Sequence, residues 1–406
     1  MTENARQPSH FSWPFFDAQH LTLAKKLDSW AASLSLPGLD EAHPTQSTVD
    51  ETCRKIVQAL GCADFLRLCI DLSGSPQSRL DCRAICIARE TLARHHALLD
   101  FAFGMQGLGS GAISLAGTQE QRSKYLNGVV AGRCIAAFAL SEPHSGSDVG
   151  AMQCTVQRDG NHFILNGEKT WISNGGIADF YVVFARSPQT HRSKGISAFI
   201  VDADSAGLEV AERLEVMSPH PLARLRFSNC RVPVTQLLGV EGDGFKLAMQ
   251  TLDIFRTSVA AAALGFARCA LSEAVQRANE REMFGTTLGA MQITQAKVAT
   301  MACAVDAAAL LVYRAAWMKD QGIRITKEAA MAKLVATESA QMVIDAAVQI
   351  CGGEGVKVGS KTERLYRDIR ALRIYEGATE VQQIIIGSDV LKAAAHAASD
   401  AKVGTP

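Results

Sequence analysis

The hydrophobic pattern changes period twice along these 406 residues, and that limits the chain to few architectures. From about residue 15 to 130, apolar residues recur at three- and four-residue steps, as at Leu23, Leu27, Trp30 and Leu34, which reads as helix. Residues 83–103 read as a further helical stretch, followed by a glycine cluster at Gly104, Gly107, Gly109 and Gly111. Residues 119–126 read as helix again. From Cys134 to Leu238 the period shortens. Short apolar runs at 134–140, 180–184, 196–201 and 222–227 read as strands, and 153–158 meets 163–165 across Asp159-Gly160-Asn161, a hairpin signal. After Pro233 helical periodicity returns over 245–280, 291–321, 326–349 and 380–398. The reading is an α+β chain in three units: a helical domain at 1–133, a β domain at 134–240 and a helical bundle domain at 241–406.

Charge narrows the function. Lys and Arg total 41 and Asp and Glu total 41, a formal net charge of zero, which argues against a nucleic-acid binder that relies on a broad basic field. Hydrophobic residues at 48% and charged residues at 20% exclude a disordered chain. The most apolar stretch, 258–267, is shorter than the roughly 20 residues of a spanning helix, so no membrane span is expected. The polar start, Met1 to Arg6, lacks an apolar signal core and predicts the cytosol. Eleven cysteines are scattered with no C-x-x-C pair. Cys82 and Cys86 are one helical turn apart, and His95 and His96 do not complete a zinc spacing, so buried thiols are expected and neither disulfides nor metal.

Five clusters have the residue types that chemistry needs. Leu140-Ser141-Glu142-Pro143-His144-Ser145-Gly146-Ser147-Asp148 follows the first strand, with small residues that let backbone N–H groups approach a polar ligand; an ordinary Ser/Gly/Pro loop has the same composition. Trp171 and Ser173 lie at a strand end, where an indole packs on an aromatic cofactor and a hydroxyl reaches its ring nitrogens; a core tryptophan before a turn reads equally well. Asp253 and Arg256 are three apart on a helix, as a ligand clamp or an ion pair. Arg281 and Phe284 close a helix and Gln292 opens the next. Gln349-Ile350-Cys351-Gly352-Gly353-Glu354-Gly355 ends a helix in a glycine turn open to phosphates or acting as a plain cap. Downstream in the same last cluster, Tyr375-Glu376-Gly377 precedes the final helix and brings a carboxylate forward on a loop, where a surface glutamate complementing the helix dipole is the ordinary reading.

Taken in this order, the clusters resemble the acyl-CoA dehydrogenase family from about Leu21 to Leu391. Both parts of its signature are present, 140–148 and 349–355 with Arg364 and Asp368 beyond, and so are the linking segments Val232-Pro233, Leu238-Gly239 and Gly244-Phe245. The resemblance implies an N-terminal helical domain, a central β-barrel-like domain and a C-terminal four-helix bundle. It implies non-covalent FAD and a homodimer or, more often, a homotetramer. By the same resemblance Phe138, Leu140, Ser141, Trp171 and Ser173 line the flavin, with the Ser173 hydroxyl at N5. Arg281, Phe284, Gln292, Gln349, Gly352 and Gly353 hold the adenosine diphosphate part across a subunit interface. Ser147, Asp253, Arg256, Tyr375 and Gly377 meet the substrate.

The implied reaction is oxidation of a CH–CH bond. Glu376 takes the α-proton of an acyl-CoA thioester while the β-hydrogen leaves as hydride to flavin N5, giving a trans-2-enoyl-CoA. An electron-transfer flavoprotein collects the electrons. A weakly acidic α-hydrogen needs hydrogen bonds on the thioester carbonyl, which the family supplies from the backbone N–H matching Glu376 and from FAD. Shielding should raise the carboxyl pKa, matching a base to neutral pH. Some members carry the base at the position of Phe255; phenylalanine there leaves Glu376 as the candidate. The usual threonine after Glu-Gly is Ala378, so the cofactor contact passes to Thr379 beside Glu380. The segment 217–221 lacks the family's glycine pattern.

The helix around 99–107 would floor the acyl group. No arginine stands near Leu99, where members acting on dicarboxyl chains carry one. The four glycines would open room for a branched or cyclic acyl group, while Phe101, Phe103 and Phe255 fill it; the expectation is an uncharged short-to-medium chain. Alternatives with the same motifs are an acyl-CoA oxidase, disfavoured by the lack of an extra C-terminal region, a desulfinating or biosynthetic member, and a non-catalytic CoA or FAD binder.

Overall fold

A computed structural model describes residues 9–74, 80–188, 190 and 193–403. The first unit holds α1 (Ala18–Ser33), α2 (Gln46–Cys62), α3 (Cys82–His95), α4 (Ala97–Ala116) and α5 (Gln119–Val130). Helix starts follow local chemistry. The Thr45 hydroxyl accepts from the Thr48 N–H, and Thr118 and Gln121 exchange side-chain and backbone bonds in a capping box. The Gln121 amide also donates to the carbonyls of Thr235 and Leu237, tying α5 to the end of the β unit.

The stretch 83–103 is not one helix. His96 closes α3 by donating its N–H to Leu92 O at 2.9 Å, and its extended backbone starts α4, with Nδ1 accepting from the Leu98 N–H at 3.0 Å. The glycines expected to end the helix lie inside α4 instead, where tertiary packing overrides their weak propensity.

The second unit is a mixed sheet of β1 (Ala136–Ala139), β2 (Thr155–Asp159), β3 (His162–Ser173), β4 (Phe180–Arg186), β5 (Ile196–Asp202), β6 (Leu208–Arg213), β7 (Leu222–Pro233) and β8 (Leu237–Leu238). Its order is β6-β7-β3-β2-β4-β5-β8, with β1 parallel to β4. The expected hairpin forms between β2 and β3, with Asp159 opposite His162 across Gly160-Asn161. Every residue of β4 from Phe180 to Ala185 is buried, as its unbroken apolar run requires. Strand β6, whose residues are mostly half-buried or exposed, has no such run and was not read from the sequence.

The third unit holds α6 (Gly244–Glu280), a small hairpin of β9 (Glu282–Met283) and β10 (Thr286–Thr287), α7 (Gln292–Asp320), α8 (Thr326–Cys351), α9 (Lys361–Leu372) and α10 (Thr379–Val403). Helix α6 packs on α8 and α7, and α8 also on α10, giving the bundle. Helix α3 lies against α6 as well, so the first and third units share a core. Helices α6 and α7 are long and apolar enough to cross a membrane, contrary to the expectation drawn from 258–267 alone. Most of the apolar window of α6 is buried inside the molecule, as for a core helix, whereas a third of that of α7 is. Cys82 and Cys86 are buried on α3, and Cys53, Cys69, Cys154 and Cys230 are buried elsewhere.

Candidate active site

Helix α4 joins the units. Gln106 clamps β1 from it, donating to Cys134 O at 2.7 Å and accepting from Ala136 N at 2.9 Å. Its glycines explain the closeness of this packing, and they do not open a cavity. A Cβ on Gly107 would sit 2.5 Å from Phe255 Cε1, one on Gly111 3.1 Å from Phe255 Cε2, and one on Gly109 2.6 Å from the Ala136 backbone. A Cβ on Gly104 would sit 2.9 Å from Arg89 Cζ. Phe255 is fully buried against these glycines. An arginine does reach this helix; it comes from α3 and not from the neighbourhood of Leu99.

Glu376 lies in the turn between α9 and α10. Its backbone is left-handed at φ +52, a conformation that costs a non-glycine residue about 1–3 kcal/mol, and Gly377 follows at φ +94. Both carboxylate oxygens are buried with no hydrogen-bond partner among the described residues. A carboxylate in that state is costly unless its chemistry uses it. Burial pushes the Glu376 carboxyl above its usual range, Asp100 adds to the rise, and Arg89, Arg256 and Lys333 oppose it.

The turn is held from three sides. Arg256 Nε donates to Glu376 O at 3.4 Å, and Lys333 Nζ and Gln382 Nε2 each donate to Gly377 O at 2.8 Å. Burial brings the Lys333 ammonium down to about 8. Thr379 Oγ1 donates to Glu338 Oε1 at 2.6 Å, and Glu338 pairs with Arg373 at 2.7 Å, so the Thr379 hydroxyl is engaged inside the turn; Glu380 is exposed. Tyr375 is half-buried. Arg256 and Asp253 form the i,i+3 ion pair at 3.1 Å, with Arg256 buried.

The loop after β1 is anchored by a buried pair. Lys169 Nζ donates to Glu142 Oε1 at 2.7 Å and to Leu140 O at 3.0 Å, and Glu142 also accepts the N–H groups of Gln153 and Cys154. That fixes Leu140, which is buried, and Ser141, which is half-buried and accepts the Thr170 N–H at 2.9 Å. Phe138 packs on Phe184 at 4.9 Å between ring centroids; Ser147 and His144 are exposed. Trp171 falls where the β3–β7 register slips between Lys169 and Ile172, a bulge that turns its backbone to φ +58 and leaves the indole 61% exposed. Ser173 ends β3, half-buried. The segment 217–221 docks on α9: Ser218 Oγ donates to Asp368 Oδ1 at 2.6 Å, Arg367 Nη1 donates to Met217 O, and the His220 ring lies 4.6 Å from that of Phe101.

A third set lies on the outer surface. Phe284 and Gly285 turn the β9–β10 hairpin with φ +53 and +78, and the Phe284 ring is 90% exposed. Arg281, Gln292, Gln349, Gly352 and Gly353 are exposed too, and a Cβ on either glycine would meet nothing within 4 Å among the described residues. An exposed indole, hydroxyls at Ser141 and Ser173, and an open glycine turn are a fitting donor set for a flavin dinucleotide. Sequence reasoning missed Arg89, Asp100, Lys333 and Glu338. A charged residue within an apolar helical stretch, as at Arg89 after Ile87-Ala88 and Asp100 after Leu98-Leu99, was the available signal for a buried pair.

Comparisons with known proteins place the fold in a family. The family models described as acyl-CoA dehydrogenase N-terminal, middle and C-terminal domains match residues 17–133, 137–230 and 242–391. The chain is similar to the mitochondrial short-chain specific acyl-CoA dehydrogenase of Rattus norvegicus, 40% identical over 79% of this chain and 78% of that protein. It is also similar to the 3-(aryl)acrylate reductase of Clostridium sporogenes, 37% identical over 93% of this chain and 100% of that protein. A chain solved in work on the electron transferring flavoprotein of Acidaminococcus fermentans and flavin-based electron bifurcation superposes with a TM-score of 0.84, 35% identical over 93% of this chain and 98% of that one. The three-unit fold and these matches together show that the chain belongs to the acyl-CoA dehydrogenase family, FAD-dependent oxidoreductases that act on CH–CH bonds.

Proposed function

We propose that this enzyme dehydrogenates an uncharged, short-to-medium acyl-CoA to the trans-2-enoyl-CoA, with Glu376 removing the α-proton. The observation that carries the reading is the Glu376 carboxylate, buried with both oxygens unpartnered among the described residues, on a left-handed backbone that Arg256, Lys333 and Gln382 hold in place. A base with a raised pKa takes a proton from a weak carbon acid more readily than an ordinary carboxylate. FAD, when bound, accepts the β-hydrogen as a hydride.

Phe138, Leu140, Ser141, Trp171 and Ser173 would hold the flavin ring. Arg281, Phe284, Gln292, Gln349, Gly352 and Gly353 would hold the adenosine diphosphate part together with a second copy of the chain. Ser147, Asp253, Arg256, Tyr375 and the Gly377 backbone would meet the acyl-CoA. A homotetramer or homodimer is supported by the apolar groups left outside, among them Phe284 at 90%, Ile293 at 70% and Leu391 at 72% exposure. An electron-transfer flavoprotein as acceptor is supported by the similarity to the chain from the Acidaminococcus work. Phe255 across Gly107 and Gly111 shortens the room for the acyl tail, which supports a short chain.

The test is to mix the yellow protein anaerobically with straight, branched, cyclic and dicarboxyl acyl-CoAs and follow the visible flavin band. Bleaching by an uncharged short or medium thioester supports the reading; no bleaching by any of them overturns it.

A further inference from the structure

The floor of the acyl region has a charge that proton removal does not require. Arg89 on α3 is 1% exposed. Its Nε and Nη2 donate to Asp100 Oδ1 and Oδ2 at 2.8 Å each, and Nη1 donates to Ser258 Oγ at 3.2 Å. The guanidinium lies over Gly104, whose missing Cβ would stand 2.9, 3.0 and 3.1 Å from Cζ, Nε and Nη2. Gly104 belongs to the α4 stretch expected to floor the acyl chain. The Arg89 charge acts on both Tyr375 and Glu376, and no other cation acts on the Glu376 carboxylate as strongly. The Arg89–Asp100–Ser258 cluster, packed on Gly104, therefore lies beside the turn that carries the phenol and the candidate base.

An alkyl chain has no use for these donors. A buried ion pair is often replaceable by apolar residues at no loss of stability, so stability alone does not account for it. Arg89 has five N–H groups, of which, among the described residues, Asp100 and Ser258 take three. Its charge is already balanced by Asp100 in a two-point pair. A carboxylate on the acyl tail would be a third anion beside Asp100 and Glu376, whereas a neutral oxygen needs only a spare donor.

We propose that Arg89 and Tyr375 set the acyl specificity, selecting a chain that carries a neutral hydrogen-bond acceptor, an oxo or hydroxyl oxygen, beyond the β-carbon. This rests on the dehydrogenase reading above and narrows it. Such a contact exists in both ground and transition states, so it acts through KM more than through kcat.

The experiment compares hexanoyl-CoA, 5-oxohexanoyl-CoA and glutaryl-CoA with the FAD-loaded protein under anaerobic conditions. The expected kcat/KM for the oxo chain exceeds that for hexanoyl-CoA by about tenfold to a hundredfold, the scale of one hydrogen bond to a charged group, with glutaryl-CoA lowest. In the double variant Arg89→Met/Asp100→Leu, which removes both charges, the oxo-to-alkyl ratio falls to about one. If that variant loses its flavin, Tyr375→Phe serves instead, with a several-fold smaller ratio. Equal or better turnover of hexanoyl-CoA, a ratio unmoved by the variants, or a preference for glutaryl-CoA overturns this inference while leaving the dehydrogenase reading intact. No reaction with any acyl-CoA overturns both.

Discussion

Lys333 on α8 donates to the carbonyl of Gly377 at 2.8 Å, one peptide beyond Glu376. The bond ties the turn that presents the carboxylate to a buried helix, and it places a cation beside that carboxylate. Lys333→Met removes both effects. Its expected cost is about 1.5–3 kcal/mol of stability, the range for a hydrogen bond with a charged partner, read as a lower denaturant midpoint. Displacement of the base by an ångström is enough to lower turnover up to about a hundredfold. Unchanged kcat in a folded Lys333→Met protein would contradict the positioning role.

The pH dependence follows from the same surroundings. In the proposed role Glu376 would act as a base only when ionised, and burial raises its pKa above the usual 4.5. kcat/KM should therefore rise with pH through a pKa higher than that of an ordinary glutamate. Arg256 favours the carboxylate and lowers this pKa, so Arg256→Gln should move the acidic limb to higher pH. A limb that stays in place or moves down would show that Arg256 does not act on the base.

Gly107 tests the packing of α4 on α6. An added Cβ would stand 2.5 Å from Phe255 Cε1 and 3.0 Å from Cys69 Cβ, and Phe255 is buried with little room to yield. Gly107→Ala should destabilise by about 1–3 kcal/mol in spite of alanine's better helix propensity, measured by chemical unfolding. A more stable variant would mean that the residue is a neutral spacer.

Much of this was legible in the sequence, for identifiable reasons. Long helices such as α6 and α8 bury a repeating face, and their bounds fall within a residue or two of the periodic pattern. The β2–β3 hairpin is set by its turn residues. The break at His96 was not legible, because a histidine that ends one helix and caps the next has no propensity signal to announce it. The glycines of α4 read both as room and as packing sites for Phe101, Phe103 and Phe255, and the sequence did not decide between them. Composition shows that a side chain is missing, not which neighbour fills the gap, and here Arg89, Phe255 and the β1 backbone do. Glu376 became a candidate by resemblance, since nothing local distinguishes it from a surface glutamate before a helix. Its unpartnered burial belongs to the folded chain alone.

The loop of residues 141–148 depends on Lys169. This side chain is fully buried and its main partner is Glu142, which is buried with it. Lys169→Met leaves that carboxylate without its counter-charge, an expected loss of about 3–5 kcal/mol in unfolding free energy, accompanied by weaker flavin retention. Wild-type stability and full flavin content would contradict the anchoring role.

The central claim is that Glu376 removes the α-proton, and isotope exchange tests it most directly. FAD-loaded wild-type protein and Glu376→Gln, both yellow, are incubated anaerobically in deuterated water with an acyl-CoA that bleaches the wild type. Deuterium entering the α-carbon is then followed by mass spectrometry. The prediction is α-exchange and bleaching in the wild type, with both slowed about a hundredfold to ten-thousandfold in the variant, the contribution of a positioned base. Exchange and bleaching at wild-type rates in Glu376→Gln would assign the proton to another group.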